Sequence, residues 1–284
     1  MAVFHAGFMG MSATRATFSL TPPMSQPMEL IPVLDLARGV AVHAVGGDRS
    51  RYQPVRSVLA PGVDGDALAL ARAYRALPGV SRCYVADLDA IEGRPAQRDL
   101  LARLRSDEGF NGPLLLDAGV ASVADRERLS LPSADLIVGL ETLRSFTDLA
   151  ALAAQASVTF SLDLRNDVAL AVPEVQAEAG SAQPVALARA ACDAGARSLI
   201  LLDIGRVGRG AGMNLELLAS LRRALPRVRL LAGGGVRGGG DLDALAEGGC
   251  DGVLIATALH RGTINPWGPG PDQALASAVR EVAD

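Results

Sequence analysis

Eight short apolar runs, each followed by a segment of helical periodicity, constrain this sequence more than any other feature. The runs are rich in Val, Ile and Leu and apolar on both faces, as expected for strands of a parallel sheet covered by helices. Such alternation is typical of βα units, which build either a doubly wound sheet or a closed barrel. The count of eight favours the barrel. The runs span residues 28–36, 82–90, 112–120, 134–142, 157–165, 197–205, 227–236 and 251–259.

The second half of the sequence repeats the first at a fixed interval. Equal offsets at three strand ends indicate that residues 82–142 and 198–258 are one supersecondary unit used twice. We therefore predict an α/β fold, a (βα)8 TIM barrel with a half-barrel internal repeat, as a single domain over residues 28–284. Three pairs of residues stand 116 positions apart: Asp87 with Asp203, Asp117 with Gly233, and Asp135 with Asp251.

Two segments fall outside this regular pattern. Residues 1–27 contain one arginine and no continuous apolar stretch, so we expect a flexible, disordered N-terminal extension rather than a secretory signal or a membrane anchor. The other segment is residues 37–65, where the first half of the barrel carries its additional residues. This glycine-rich loop lies at the face where barrel enzymes keep their chemistry, and it is a candidate lid, although a tolerated surface insertion would look the same.

Composition excludes several classes of function. A net charge of -4 and 4% aromatic residues argue against a nucleic-acid partner, and no apolar stretch is long enough to span a membrane. The three cysteines and three histidines are too scattered for a disulfide framework or a metal site, so we predict a cytoplasmic protein without metal. All 27 basic residues are arginine, which excludes lysine Schiff bases, lysine-linked pyridoxal phosphate and a P-loop. We predict no cofactor.

Six glycines within eight positions lie at the end of the seventh run and just after it, in the segment LLAGGGVRGGGD. Glycines between a strand and a helix let backbone N–H groups approach a ligand, and in eight-stranded barrels the loops after strands seven and eight commonly bind phosphate. We therefore predict a phosphate site, although the same glycines would also serve tight turns alone. Its predicted residues are Gly233, Gly234 and Gly235, with Ala256 and Thr257 at the end of the eighth run.

Two aspartates end matching strands of the two half-barrels, Asp35 in IPVLDL and Asp163 in SLDLR. Carboxyl groups at the ends of opposed strands can flank one ligand, and different surroundings can separate their pKa values for general acid and base catalysis. An aspartate that closes a strand can instead cap the next helix. Their symmetry and the neighbouring glycine loop favour catalysis.

Several motifs together carry a family resemblance. IPVLDL, VADLDA followed by GRP, SLDLR, LDIGRVGRGAGMNLELL, LLAGGGVR and GVLIATALHRG resemble, in order and spacing, the histidine-biosynthesis barrel family. That family comprises phosphoribosylformimino-aminoimidazole carboxamide ribotide isomerase and the cyclase subunit of imidazole glycerol phosphate synthase. The resemblance covers about residues 29–264. It implies a phosphorylated ribose substrate and, for the isomerase, an Amadori rearrangement of an aldose amine to a ketose amine, with Asp35 as general base and Asp163 as general acid.

The sequence also departs from that family. Where the family reads close to RDGT after strand six, this chain has Arg206, Val207, Gly208 and Arg209, so an aspartate of the isomerase's chemistry is replaced by Val207. Where the family has phosphate glycines after strand three, this chain has Asp117, and Glu141 follows strand four. Repulsion between a carboxylate and a phosphate costs about 1–4 kcal/mol for each close pair. We expect a neutral or cationic group such as an amine there. Further substrate-site candidates are Asp203, Arg206, Asp117, Glu141 and Thr142.

Three classes of function follow. The first is an isomerase of the histidine pathway, acting on a phosphorylated, aminated ribose-like substrate. The second is a diverged paralogue with a monophosphorylated substrate, resembling the branch of the family found in organisms that use tetrahydromethanopterin, where a role in making that one-carbon carrier is suspected. The third is a non-catalytic barrel that binds a phosphorylated metabolite or a protein partner. Retention of Asp35 and Asp163 favours an enzyme, and loss of the RDGT aspartate disfavours the histidine isomerase.

Overall fold

Eight parallel strands close into a barrel in the computed structural model, which describes residues 28–44, 46, 48–130 and 135–265. The strands follow one another in chain order, and the first pairs with both the second and the eighth. All eight predicted strands and the (βα)8 barrel are confirmed. The barrel strands are Glu29–Ala37, Cys83–Asp87, Leu114–Asp117, Asp135–Gly139, Val158–Arg165, Ser198–Asp203, Arg229–Gly233 and Gly252–Ile255.

Helices surround the barrel, and several begin at the side chain of a capping residue. Asp66, Ser122, Ser145 and Asn214 each accept backbone N–H groups of the first helical turn, which would otherwise have no partner within the helix. None of the described helices has the length and apolar character needed to cross a membrane. The helices are Ala67–Arg75, Leu88–Ile91, Arg98–Arg105, Val123–Leu129, Phe146–Ala153, Pro173–Glu178, Pro184–Asp193, Leu215–Ala224, Gly239–Glu247 and Thr257–His260.

Seven of the eight barrel strands divide their side chains between two apolar cores, whereas the fifth strand buries the polar side chains of Thr159, Ser161 and Asp163 on its inward face. In the second strand, Cys83 and Val85 pack in the large core between barrel and helices, whereas Tyr84 and Ala86 lie in the smaller core inside the barrel. The alternation follows from the period of two along a strand. The inward face of each strand therefore determines which side chains can reach the carboxyl end of the barrel interior.

The first and fifth strands each continue into a short antiparallel hairpin. Val40–His43 pairs with the first strand and Val168–Ala169 with the fifth. Both turns have two residues of positive φ, Arg38 with Gly39 and Asn166 with Asp167, as two-residue hairpins require. The half-barrel repeat thus extends to the ends of the two strands that carry Asp35 and Asp163.

The segment after the first strand, residues 37–65, contains more structure than a simple insertion. Beyond its hairpin it forms a 3₁₀ turn at Arg49–Arg51 and a two-residue strand, Gln53–Pro54. The predicted N-terminal extension, residues 1–27, and the last part of the predicted domain, residues 266–284, lie outside the described residues.

Candidate active site

A cavity of about 350 Å³ opens at the carboxyl ends of the barrel strands. All eight strands, or the loops that follow them, contribute to its wall, and each loop is numbered below after the strand it follows. This is the face where (βα)8 barrels place their active sites. Nine of the predicted site residues line the cavity: Asp35, Asp117, Glu141, Thr142, Asp163, Gly234, Gly235, Ala256 and Thr257.

Asp163 is the most perturbed carboxyl group of this cavity. It is 4% exposed, and burial raises its pKa from 3.8 to about 8, with the negative charges of Asp117 and Glu141 adding to the effect. The Ser161 hydroxyl donates to Oδ1 at 2.6 Å and the Glu141 backbone N–H to Oδ2 at 3.2 Å, and both bonds act in the opposite direction on the pKa. A carboxyl group with this pKa holds its proton at neutral pH, which suits a general acid.

Asp35 stands on the first strand, opposite the fifth strand of Asp163 in the barrel order. It is half-buried and lines the cavity just before the hairpin turn. Its strand neighbours are Ala86 on one side and Val42 on the other. The two predicted catalytic aspartates therefore lie at matching heights on opposed walls of one cavity.

Tyr84 is a site residue that the sequence analysis missed. Its buried hydroxyl donates to Asp117 Oδ2 at 3.3 Å. Burial raises the pKa of Tyr84 well above its usual range, and the negative charges of Asp117, Asp35 and Asp163 raise it further. The Tyr84 hydroxyl thus lies close enough to all three aspartates for their negative charges to affect its pKa. Tyr84 lies on the inward face of a strand already recognised from its apolar pattern, so strand periodicity could have indicated it.

Gly234 and Gly235 line the cavity, whereas Gly233 does not. Gly233 is buried in the seventh strand between Leu202 and Leu254. It does not reach the cavity wall, and its role in phosphate binding stays a prediction. The other two glycines have φ values of +93° and +94°. A Cβ on Gly234 would lie 2.6 Å from the Asp203 carbonyl oxygen, and one on Gly235 would lie 2.8 Å from the Gly212 carbonyl oxygen. Both positions therefore need glycine so that loop seven can pack on the backbone of loop six.

Thr257 connects the predicted phosphate site to the segment after the first strand. Its Oγ1 lies 2.9 Å from His43 Nε2, and both residues line the cavity. Ala256, which precedes it, lines the same wall at the end of the eighth strand. Loop eight is thus in direct contact with the hairpin that follows Asp35.

Asp203 and Arg206 do not line the cavity, although the sequence predicted them as substrate-site candidates. Asp203 is 4% exposed, and its carboxylate accepts the backbone N–H groups of Asn166, Asp167 and Gly205 and an N–H from Arg206. Arg206 also donates to Asp167 at 2.7 Å. Asp203 and Arg206 thus join the fifth-strand hairpin to loop six. Asp87, which corresponds to Asp203 in the first half-barrel, similarly accepts three hydrogen bonds from Ala90 and Gln97.

Loop four brings the remaining candidates to the cavity in different ways. The Thr142 hydroxyl donates to the Gly139 carbonyl at 3.1 Å, which tightens the turn after the fourth strand. Glu141 is exposed and lines the cavity beside Asp163, and its backbone N–H donates a hydrogen bond to the Asp163 carboxyl group. Gly139 leaves room for that carboxyl group, since a Cβ there would lie 2.9 Å from Asp163 Oδ2.

The cavity wall is electrostatically polarised. Asp117 ends the third strand and Glu141 lies on loop four, whereas Arg237 and Arg261 lie on the segments after strands seven and eight, across the barrel. Arg237 pairs with Asp241, and a third arginine of the wall, Arg165, ends the fifth strand beside loop four, so Arg261 is the arginine that distinguishes the loop seven and eight end. An anion is therefore favoured at the loop seven and eight end, and a cation at the loop three and four end.

The segment after the first strand also reaches across the cavity mouth to loop six. The Gly46 backbone N–H donates to the Val207 carbonyl at 2.9 Å, and the Arg209 guanidinium lies against Gly46. Val207, at the position of the missing RDGT aspartate, lines the cavity. Among the described residues no group of three or more histidine, cysteine or acidic side chains is arranged to hold a metal ion.

The closed barrel, with its ionisable cavity at the carboxyl ends of the strands, defines a (βα)8-barrel protein. The chain belongs to the histidine biosynthesis protein family, whose model matches residues 29–265. Similar proteins include an uncharacterized protein of Methanocaldococcus jannaschii, 31% identical over 245 residues, which cover 84% of this chain and 96% of that protein.

Other similar proteins carry the name 1-(5-phosphoribosyl)-5-((5-phosphoribosylamino)methylideneamino) imidazole-4-carboxamide isomerase. The Thermus thermophilus protein is 32% identical over 241 residues, which cover 84% of this chain and 96% of the relative. The Streptococcus sanguinis protein is 27% identical over 242 residues, with 84% of this chain and 95% of the relative covered. The match with each relative spans nearly its whole length.

Proposed function

We propose that this protein is an isomerase-type enzyme that acts on a phosphorylated, aminated ribose-like substrate by aspartate general acid and base catalysis. The observation that carries the proposal is the pair of carboxyl groups, Asp35 and Asp163, on opposed walls of one cavity, with Asp163 buried so that its pKa is about 8. The isomerase names of the relatives, which contain phosphoribosyl groups, support the substrate class.

The proposed chemistry assigns each aspartate one proton transfer. Asp163 donates its proton to the ring oxygen as the C1–O bond breaks, while the nitrogen lone pair forms a C1=N iminium. Asp35 then removes the proton from C2, which gives an enaminol, and the protonation of C1 with loss of the hydroxyl proton gives the aminoketose. An acid that is protonated at neutral pH and a separate carboxylate base are the two groups this rearrangement needs.

In this proposal the substrate's phosphate lies at Gly234, Gly235, Ala256 and Thr257. Loops seven and eight bind phosphate in many (βα)8 barrels, and the positive charge of Arg261, which follows the eighth strand, favours an anion at this end. Gly233 would support the loop from within its strand rather than contact the ligand. A side chain at Gly234 would collide with the backbone at Asp203 and disturb the fold, so phosphate binding is better tested by a substitution at Thr257.

The polarity of the cavity favours a second, narrower candidate, a diverged paralogue whose substrate carries one phosphate. Asp117, Glu141 and the Tyr84 hydroxyl occupy the end where a second phosphate would have to lie, and Val207 replaces an acidic residue of the histidine isomerase. An amine would be attracted to this end. That the product enters tetrahydromethanopterin synthesis stays a prediction from the sequence resemblance.

Calorimetric binding separates the two candidates. We expect ribose 5-phosphate and other single-phosphate ligands to bind at least as tightly as the bisphosphorylated histidine-pathway substrate, and Thr257→Val to weaken both. Tighter binding of the bisphosphate, with growth of an isomerase-deficient histidine auxotroph on complementation, would instead establish the histidine isomerase. An Asp163→Asn variant that leaves the cellular phenotype intact would favour a non-catalytic binding protein.

A further inference from the structure

His43 is an ionisable cavity residue that the acid and base chemistry does not use. It ends the hairpin strand Val40–His43, it is half-buried, and its Nε2 lies 2.9 Å from Thr257 Oγ1. Burial, followed by the positive charge of Arg261, lowers its pKa below the ordinary value of 6.5. In the absence of a ligand the imidazole is therefore neutral near pH 7, and it lies beside the proposed phosphate site.

The second histidine of this wall has a different role. His260 is 6% exposed, with Nε2 3.1 Å from the Tyr74 hydroxyl and Nδ1 3.0 Å from Ser57 Oγ. Burial, with the neighbouring His43 contributing, lowers its pKa to about 4. Both ring nitrogens of His260 have partners, and its backbone carbonyl accepts the Val58 N–H at 3.0 Å. His260 is thus a neutral structural residue that fastens the segment after the first strand to loop eight.

We propose that His43 is a phosphate-binding residue: when the substrate's phosphate occupies the site at Gly234, Gly235 and Thr257, the imidazole takes up one proton from water and donates a hydrogen bond to a phosphate oxygen. This inference rests on the phosphate site of the proposed function. It adds a ligand-binding group from the segment after the first strand, which the glycine loop alone did not indicate.

Electrostatics gives the direction of this proton uptake. Arg261 and His260, on the segment after the eighth strand, act electrostatically with His43, Asp35 pairs with the adjacent Val42 on the first strand, and Gln53 is the neutral neighbour of His43 in the hairpin. A phosphate dianion adds two negative charges near Thr257, which favours the imidazolium and opposes the effect of Arg261. The hydrogen bond to the phosphate then becomes charge-assisted, and such bonds are about twice as strong as neutral ones.

The proton uptake would also couple ligand binding to the contact between the hairpin after the first strand and loop eight. At one end of the helix Thr257–His260, Thr257 is hydrogen-bonded to His43. At the other end, His260 is hydrogen-bonded to Ser57 and Val58. A charged contact between His43 and the phosphate would therefore strengthen the attachment of the hairpin strand Val40–His43 to loop eight only when the site is filled.

The test is an NMR titration of the histidine ring Cε1 signals, with and without saturating ribose 5-phosphate, assigned with His43→Gln. We expect saturation to raise the pKa of His43 by one unit or more, while His260 stays neutral over the same range. Calorimetry at pH 7.5, where the free phosphate ester is already largely a dianion, is expected to show fractional proton uptake by the wild type and none by His43→Gln. His43→Gln, which keeps a polar group near Thr257 but cannot be protonated, is expected to bind the ester about ten- to a hundredfold more weakly.

Two further variants keep the result interpretable. His43→Arg carries a permanent charge, so we expect it to bind the ester without proton uptake. Arg56→Gln removes an exposed charge from the same segment outside the cavity, and we expect it to bind like the wild type. If the wild type binds no phosphate ester, the proposed phosphate site is wrong and this inference falls with it. If the ester binds, but the pKa of His43 does not rise and His43→Gln binds equally well, the inference alone is overturned.

Discussion

The buried carboxyl group of Asp163 predicts an unusual dependence of stability on pH. Its folded-state pKa of about 8 lies about four units above the ordinary value of 3.8. Between these two values the folded protein holds a proton that the unfolded chain has released, so stability falls as the pH rises. The contribution of Asp163 is fully present below about pH 4 and lost as the pH passes 8. One unit corresponds to about 1.4 kcal/mol, so the upper limit of the effect is about 6 kcal/mol.

Replacing Asp163 by asparagine removes this titration but also changes hydrogen bonds. The side-chain amide can still accept from Ser161, whereas its NH2 group would face the Glu141 backbone N–H, at a cost of about 1–3 kcal/mol. Above pH 9 we therefore expect Asp163→Asn to be more stable than the wild type by about 3–5 kcal/mol. Near pH 5 this difference should shrink to about zero or reverse.

The assay is urea unfolding of the wild type and Asp163→Asn at half-unit steps from pH 5 to 9.5. The expected result is a wild-type free energy of unfolding that falls with pH relative to that of the variant. Asp64→Asn, which removes an exposed carboxylate of the Arg56 ion pair, is the control and should parallel the wild type. Parallel curves for the wild type and Asp163→Asn would refute the raised pKa, and with it the assignment of Asp163 as an acid that is protonated at neutral pH.

Three further outcomes follow from the site. Gly235→Ala should lower the free energy of unfolding by about 2–4 kcal/mol in urea denaturation, because a Cβ there meets the backbone of loop six. Gly238→Ala is the control and should cost less than about 1 kcal/mol, because its φ is extended and the atom nearest to a Cβ there is 3.8 Å away. Asp203→Ala should cost about 3–5 kcal/mol in the same assay, since it leaves three backbone N–H groups and the Arg206 Nε–H without their acceptor, although Arg206 keeps its bond to Asp167. Tyr84→Phe should keep the fold, with a Tm within a few degrees of the wild type, but lower turnover about tenfold in steady-state assays, because Asp117 loses the hydroxyl that orients it. Equal turnover of the wild type and Tyr84→Phe would remove Tyr84 from the site.

The fold could be predicted because its main determinants are local. Strands apolar on both faces, helices of matching period and three equal repeat offsets all indicate the same barrel. The two catalytic candidates could also be placed, since an aspartate at the end of each opposed strand must reach the same face. Asp35 and Asp163 accordingly line one cavity.

Side-chain partners could not be predicted in the same way. Asp203 and Arg206 stand at a strand end like the cavity aspartates, yet the hairpin at Asn166 and Asp167 approaches from the fifth strand and supplies Asp203 with donors. That approach depends on a contact between residues about 36 positions apart. Tyr84 was overlooked for the opposite reason, because an aromatic side chain within an apolar run resembles ordinary core until its hydroxyl is seen against Asp117.

In the proposed function, Asp35 and Asp163 together isomerise an aminated ribose phosphate. The most direct measurement is NMR of an N-substituted ribosylamine 5-phosphate in D2O with the wild type, Asp35→Asn and Asp163→Asn. We predict that the wild type forms the aminoketose with deuterium incorporated at C1, and that each variant slows its formation at least a hundredfold while still binding ribose 5-phosphate. Binding of the substrate by the wild type with no aminoketose and no deuterium incorporation would contradict the proposed isomerase chemistry.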